Sequence, residues 1–204
     1  MRRISRREML QHLGATLTAA TVLPLALPMR ARAQAQAAVA ESFISFTAAE
    51  AQTVKAIVAR IIPSDANGPG ALEARADRFI DRALAGALKA SRPAYATGLA
   101  AVDAAARTAR GKDFSQLSAT DQDAVLTSVQ QTNGQFFNMI RTHTIQGTFS
   151  DPFYGGNANF IGWDLIGYPG ARTSVSADLQ RMDKKPEPSR KSAYDYGMFS
   201  KGEA

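Results

Sequence analysis

Thr47-Ala48-Ala49-Glu50-Ala51-Gln52-Thr53-Val54-Lys55-Ala56-Ile57-Val58-Ala59-Arg60-Ile61-Ile62-Pro63 reads as one helix with both of its ends marked. Thr47 and Glu50 form a capping box: the Thr hydroxyl can accept from the Glu50 N–H, and the carboxylate can reach back. Val54, Ile57, Val58 and Ile61 recur at i, i+3, i+4 and i+7, which puts them on one face. Pro63 cannot donate a helical hydrogen bond and stops the helix. Asp65 to Gly70 then reads as a turn.

The same period continues towards the C-terminus. A second helix is predicted from about Ala71 to Leu88, with Leu72, Phe79, Ile80, Ala83, Leu84 and Leu88 on its apolar face. A third follows Pro93, with Leu99 and Val102 inward and alanines permitting close approach. Ser118-Ala119-Thr120-Asp121 opens a fourth, because Ser caps well and acids favour a first turn. Val125, Leu126 and Val129 carry its face. A fifth begins near Gly134, holds Phe136, Phe137, Met139, Ile140 and His143, and ends at Gly147 as a C′ glycine. No segment alternates with period two. The expected fold is all-α: a small bundle of about five helices over residues 47–147.

Past Gly147 the composition changes. Residues 148–172 interleave glycines (Gly155, Gly156, Gly162, Gly167, Gly170) with Phe149, Phe153, Tyr154, Phe160, Trp163 and Tyr168. A segment this long without a periodic face is uncommon in a compact domain, and its aromatics argue against disorder. It is expected to be an ordered loop whose rings dock on this bundle or on a partner. Trp163 and Tyr168, with an apolar body and a polar handle, are the leading docking residues. Tyr154, Gly155, Gly156, Asn157, Pro169 and Gly170 complete the candidate docking set. Gly155-Gly156-Asn157 lacks the spacing and the preceding strand of a phosphate loop and reads as a turn. Residues 173–204 are polar, without a helical stripe, and end in Tyr194, Tyr196, Met198 and Phe199. They are read as an extended tail that drapes over a partner.

At the other end, residues 1–33 have the three parts of a secretory signal. Arg2, Arg3, Arg6 and Arg7 make the charged region. Gly14 to Leu27 is a moderately apolar stretch, too short to span a bilayer and broken further by Pro24. Ala31-Arg32-Ala33 offers a cleavage site. Ser5-Arg6-Arg7-Glu8-Met9-Leu10 narrows the route to twin-arginine export, which carries folded proteins. Periplasmic localisation is therefore expected, with residues 34–46 as a flexible lead-in. The leader also holds six of the 24 Lys and Arg residues and one of the 18 acids, so the remainder is nearly neutral. That leaves no clustered basic face for nucleic acid.

The chemistry available is narrow. The chain has no cysteine, which excludes disulfides, covalently attached haem c, thiolate-ligated clusters and a thiolate nucleophile. His143 is the one histidine beyond the leader, so no multi-histidine metal site can form and any histidine base must be this residue. The alternative is a stand-alone enzyme or small-ligand-binding protein with its site where the 148–170 loop meets the bundle, for which His143, Asp151, Tyr154 and Asp164 are the candidate residues.

One set of motifs carries a resemblance. Phe136-Phe137, His143-Thr144, Gly147-Thr148-Phe149-Ser150-Asp151-Pro152, Tyr154-Gly155-Gly156-Asn157, Gly162-Trp163 and Ile166-Gly167-Tyr168-Pro169-Gly170 resemble the gluconate 2-dehydrogenase small-subunit family. The Thr47–Glu50 start, the Ile61-Ile62-Pro63-Ser64-Asp65 end and Phe79-Ile80-Asp81 are similar to it as well. The resemblance implies a non-catalytic subunit without a cofactor of its own. It implies a large FAD-binding dehydrogenase partner of the glucose–methanol–choline type and a multi-haem cytochrome c subunit that relays electrons to the membrane. It also implies that the small subunit supports folding of the flavoprotein and carries it through the twin-arginine translocase. The complex would be associated with the membrane. The family supplies no catalytic residues to transfer, and none is assigned.

Overall fold

Thr47 begins the first helix in the way its spacing to Glu50 predicts. In α1 (Ala48–Ile61) the Glu50 N–H donates to Thr47 Oγ1 at 3.3 Å, and the Thr47 N–H donates to Glu50 Oε2 at 2.8 Å. Arg92 turns this local box into a tertiary one. Its Nη2 reaches both Glu50 carboxylate oxygens, at 2.8 and 2.7 Å, while Nε donates to the Ser45 carbonyl at 3.0 Å. Burial opposes ionisation of Glu50, but the bonds from Thr47 and Arg92 outweigh it and hold the carboxyl below its ordinary value.

The computed structural model describes residues 42–183 and 185–198. The leader with Arg6 and Arg7, the lead-in up to residue 41, and the chain from Phe199 onward lie outside the described residues. Within them the protein is all-α. After α1 come α2 (Ala76–Ala85), α3 (Arg92–Arg110), α4 (Ala119–Thr132), α5 (Gly134–Phe149) and the short α6 (Ile161–Ile166). Among the described residues there is no strand, only an isolated bridge between Asp65 and Gly68.

Three boundaries differ from the periodic reading, each for a local reason. The second helix does not start at Ala71. Residues 70–75 make one separate turn that closes with Arg75 in the left-handed region (φ 60°), and the Arg75 and Ala76 N–H groups fold back to the carbonyls of Leu72 and Ala71. That is a Schellman closure, and α2 begins only after it. Gly86 ends α2 before Leu88. The fifth helix runs past Gly147 to Phe149, because Gly147 is a crossing point rather than a cap. A Cβ there would come within 2.9 Å of the Ala76 Cα on α2, so the missing side chain lets α2 and α5 touch backbone to backbone.

The core lies between α1, α3, α4 and α5, with α2 laid along α5. Val54, Ile57, Val58, Ile80, Leu84, Leu99, Val102, Val125, Val129 and Ile140 are all buried. Fully burying an aliphatic side chain of this kind stabilises by roughly 1.5–3 kcal/mol. Tyr95 sits at the centre, its ring 5.7 Å from Phe46 and 5.8 Å from Phe136. Phe43 and Phe46 belong to this packing rather than to a loose lead-in. The buried Asp81 carboxylate accepts from the N–H groups of Ile44, Ser45 and Phe46 at 2.7, 2.8 and 3.0 Å. A carboxylate facing three amide dipoles is well paired for its burial.

Candidate functional site

A helix leaves its last carbonyls without partners, and buried ones must find donors elsewhere. At the end of α5 those donors come from the following segment. The Asn157 N–H donates to the Gly147 carbonyl at 2.8 Å, the indole N–H of Trp163 to the Phe149 carbonyl at 2.9 Å, and Asn157 Nδ2 to the Ser150 carbonyl at 2.8 Å. Asn157 Oδ1 in turn accepts from the Gly162 N–H at 2.8 Å, at the start of α6. Asn157 is fully buried and Trp163 is 6 % exposed. To place these donors the backbone takes three non-glycine residues, Asn157, Asn159 and Phe160, through the left-handed region. Gly156 lies against the Gly147 carbonyl. So Gly156, Asn157 and Trp163, three of the docking candidates, are turned into their own chain.

The tail returns across this segment. The Asp151 carboxylate accepts from the Phe153 N–H at 2.9 Å and the Ala193 N–H at 2.8 Å, and from the Ser192 hydroxyl. Tyr194 stacks on Phe153 with ring centres 3.6 Å apart, and its hydroxyl meets that of Tyr154 at 3.1 Å. Arg190 pairs with Asp164 at 2.8 Å. The Ser189 N–H donates to the Pro169 carbonyl at 2.7 Å, and Ser189 lies over Gly170. Pro169 and Gly170 thus receive the tail. Of the candidate docking set, Tyr154 and Tyr168 keep substantial exposure, 50 % and 43 %, joined by Phe153 and Ile166 at 57 % and 60 %.

The residues of the stand-alone-site reading are held by different partners. His143 is buried in the bundle, with Nδ1 2.9 Å from the Tyr95 hydroxyl and the two rings stacked. Burial keeps His143 below the ordinary imidazole value and pushes the Tyr95 hydroxyl above the phenol range. Asp151 anchors the tail at Ser192 and Ala193, Asp164 pairs with Arg190, and Tyr154 meets Tyr194 and lines a groove against α2. A base needs reach to a reacting proton, and His143 faces Tyr95 instead. Among the described residues no group of three or more His, Cys, Asp or Glu could hold a metal ion, and no helix is long and apolar enough to cross a membrane.

That groove holds about 510 Å³ between α2 and the end of α5, lined by Phe79, Arg82, Ala83, Ala87, Leu88, Gln146, Ser150 and Tyr154. Its walls are largely carbon. Arg82 lies over Gly155, where a Cβ would come within 2.7 Å of Nη1, so the glycine makes room for the guanidinium. Ser150 Oγ is buried without a hydrogen-bond partner. Sequence reading passes over Arg82 and Ser150, because one looks like a surface charge and the other like a loop residue. Only the spacing of Tyr154-Gly155 from the helix end hints that something approaches the backbone there.

A family model described as gluconate 2-dehydrogenase subunit 3 matches residues 48–170. No curated protein and no solved structure matches the chain.

Proposed function

From the premise that this chain belongs to the gluconate 2-dehydrogenase subunit 3 family, we propose that it is the non-catalytic small subunit of a periplasmic, FAD-dependent sugar or sugar-acid dehydrogenase. The family match over residues 48–170 carries this reading. The chain supports its flavoprotein partner structurally and brings it, already folded, through the twin-arginine route. FAD sits in the large subunit, and haem c in a cytochrome subunit where one is present. Three properties of the chain support this. It has no cysteine, so it cannot attach haem c covalently. Its one histidine beyond the leader is buried against Tyr95. Its described surface offers exposed aromatics and an apolar groove.

The test is co-purification. The affinity-tagged full chain, co-expressed with the flavoprotein encoded beside it, is expected to return a yellow complex with flavin absorbance near stoichiometry. A colourless small subunit recovered alone would overturn the proposal.

A further inference from the structure

We propose that the groove between α2 and α5 receives a segment of the dehydrogenase subunit in which an apolar side chain is flanked by an Asp or Glu, with the carboxylate meeting Arg82. This rests on the accessory-subunit reading above. The chemistry of the walls sets the occupant. Phe79, Ala83, Ala87 and Leu88 offer carbon surface, and the small alanines leave depth for an inserted side chain. Removing such surface from water is favourable in proportion to its area.

The polar groups narrow the choice. Arg82 is exposed, and no carboxylate lies against it among the described residues, although seven other arginines there have one: Arg60, Arg78, Arg92, Arg107, Arg110, Arg181 and Arg190. No acid lines the groove. An apolar slot edged by one guanidinium with no carboxylate against it is complementary to an apolar side chain beside a carboxylate, which a guanidinium fork binds through two oxygens. A purely apolar occupant would bury Arg82 uncompensated, and a basic one would be repelled.

The experiment uses the full chain co-expressed with the flavoprotein, and three variants. Arg82→Glu reverses the charge, Ala87→Trp fills the slot, and Thr97→Trp places the same bulk in a second groove of about 460 Å³ lined by Pro93, Gly98 and Gln135. Arg82→Glu and Ala87→Trp are expected to cut recovered flavin per small subunit at least tenfold, while Thr97→Trp stays within twofold. Circular dichroism melting of each purified chain controls for folding. In parallel, a benzophenone photocrosslinker at position 87 is expected to capture a dehydrogenase peptide that contains Asp or Glu next to an apolar residue. Wild-type recovery of flavin with undiminished recovery by Arg82→Glu and Ala87→Trp would overturn the groove assignment alone. So would a cross-link to a second copy of this chain or to a basic peptide. Absence of flavin with the wild-type chain would overturn the accessory-subunit reading and the groove assignment together.

Discussion

His143 and Tyr95 show how one buried pair sets a pH response. Burial disfavours the charged form of each, so the imidazole and the phenol face one another as neutral groups sharing one hydrogen bond. In the unfolded chain the imidazole takes a proton near pH 6.5, whereas in the folded chain it does so only at lower pH. Between those values the unfolded state binds more protons, so stability rises with pH. The His143 contribution is whole above about pH 6.5 and is lost as pH falls through the folded value. Urea unfolding at about pH 7.5 and about pH 5 is expected to show wild type losing stability across this interval, and His143→Asn losing less. Equal slopes for the two would show that the ring protonates freely in the folded state. A catalytic base of neutral pKa would give a different result, with activity rather than stability following the titration.

At the scale of elements, the end of α5 and the start of α6 are one construction. Asn157 joins them, using both polar atoms of its amide and its backbone N–H. Asn157→Ala removes both side-chain bonds and leaves the Gly162 N–H and the Ser150 carbonyl without them. Each buried group left unpaired costs about 1–3 kcal/mol, so denaturant unfolding is expected to show a loss of roughly 2–4 kcal/mol with an unchanged dependence on denaturant. Trp163→Ala is expected to act in the same way, by about 3–5 kcal/mol, because a buried ring and its bond to the Phe149 carbonyl are lost together. Unchanged stability in either variant with loss of the co-purified flavoprotein would place that side chain in the intersubunit contact instead. The same construction explains Gly147. Its position inside α5 lets α2 approach, and its carbonyl receives the Asn157 N–H, so one residue organises a helix crossing and a cap.

For the whole molecule, the leader and the folded body bear on the same proposal. Arg6 and Arg7 lie outside the described residues, and on the proposed reading they address a folded passenger. If the flavoprotein has no leader of its own and travels bound to this chain, Arg6→Lys with Arg7→Lys is expected to leave both subunits, and the dehydrogenase activity, in the cytoplasmic fraction. Export of the flavoprotein without the small subunit would show that it has its own route. The groove at Arg82 and the exposed Tyr154 and Tyr168 are the surfaces by which such a passenger could be held.

The sequence by itself determined the helical fold, because its evidence is local. Thr47 with Glu50, Ser118 with Asp121, and apolar residues at i, i+3 and i+4 act within one or two turns, and the structure keeps them. It also limited the chemistry, since an absent cysteine cannot be supplied by folding. Where two distant stretches meet, tertiary structure decided the outcome. Gly147 has the signature of a helix end, but contact with Ala76 makes it a crossing. Trp163 has the composition of a hot spot, yet the unpaired carbonyl of Phe149 draws its indole inward. Arg82 is an ordinary surface charge in sequence, and the packing of α2 on α5 sets it beside an apolar slot, with no counter-charge against it among the described residues. Hydrogen-bond satisfaction and charge pairing are sums over neighbours in space, and those neighbours exist only once the chain has folded.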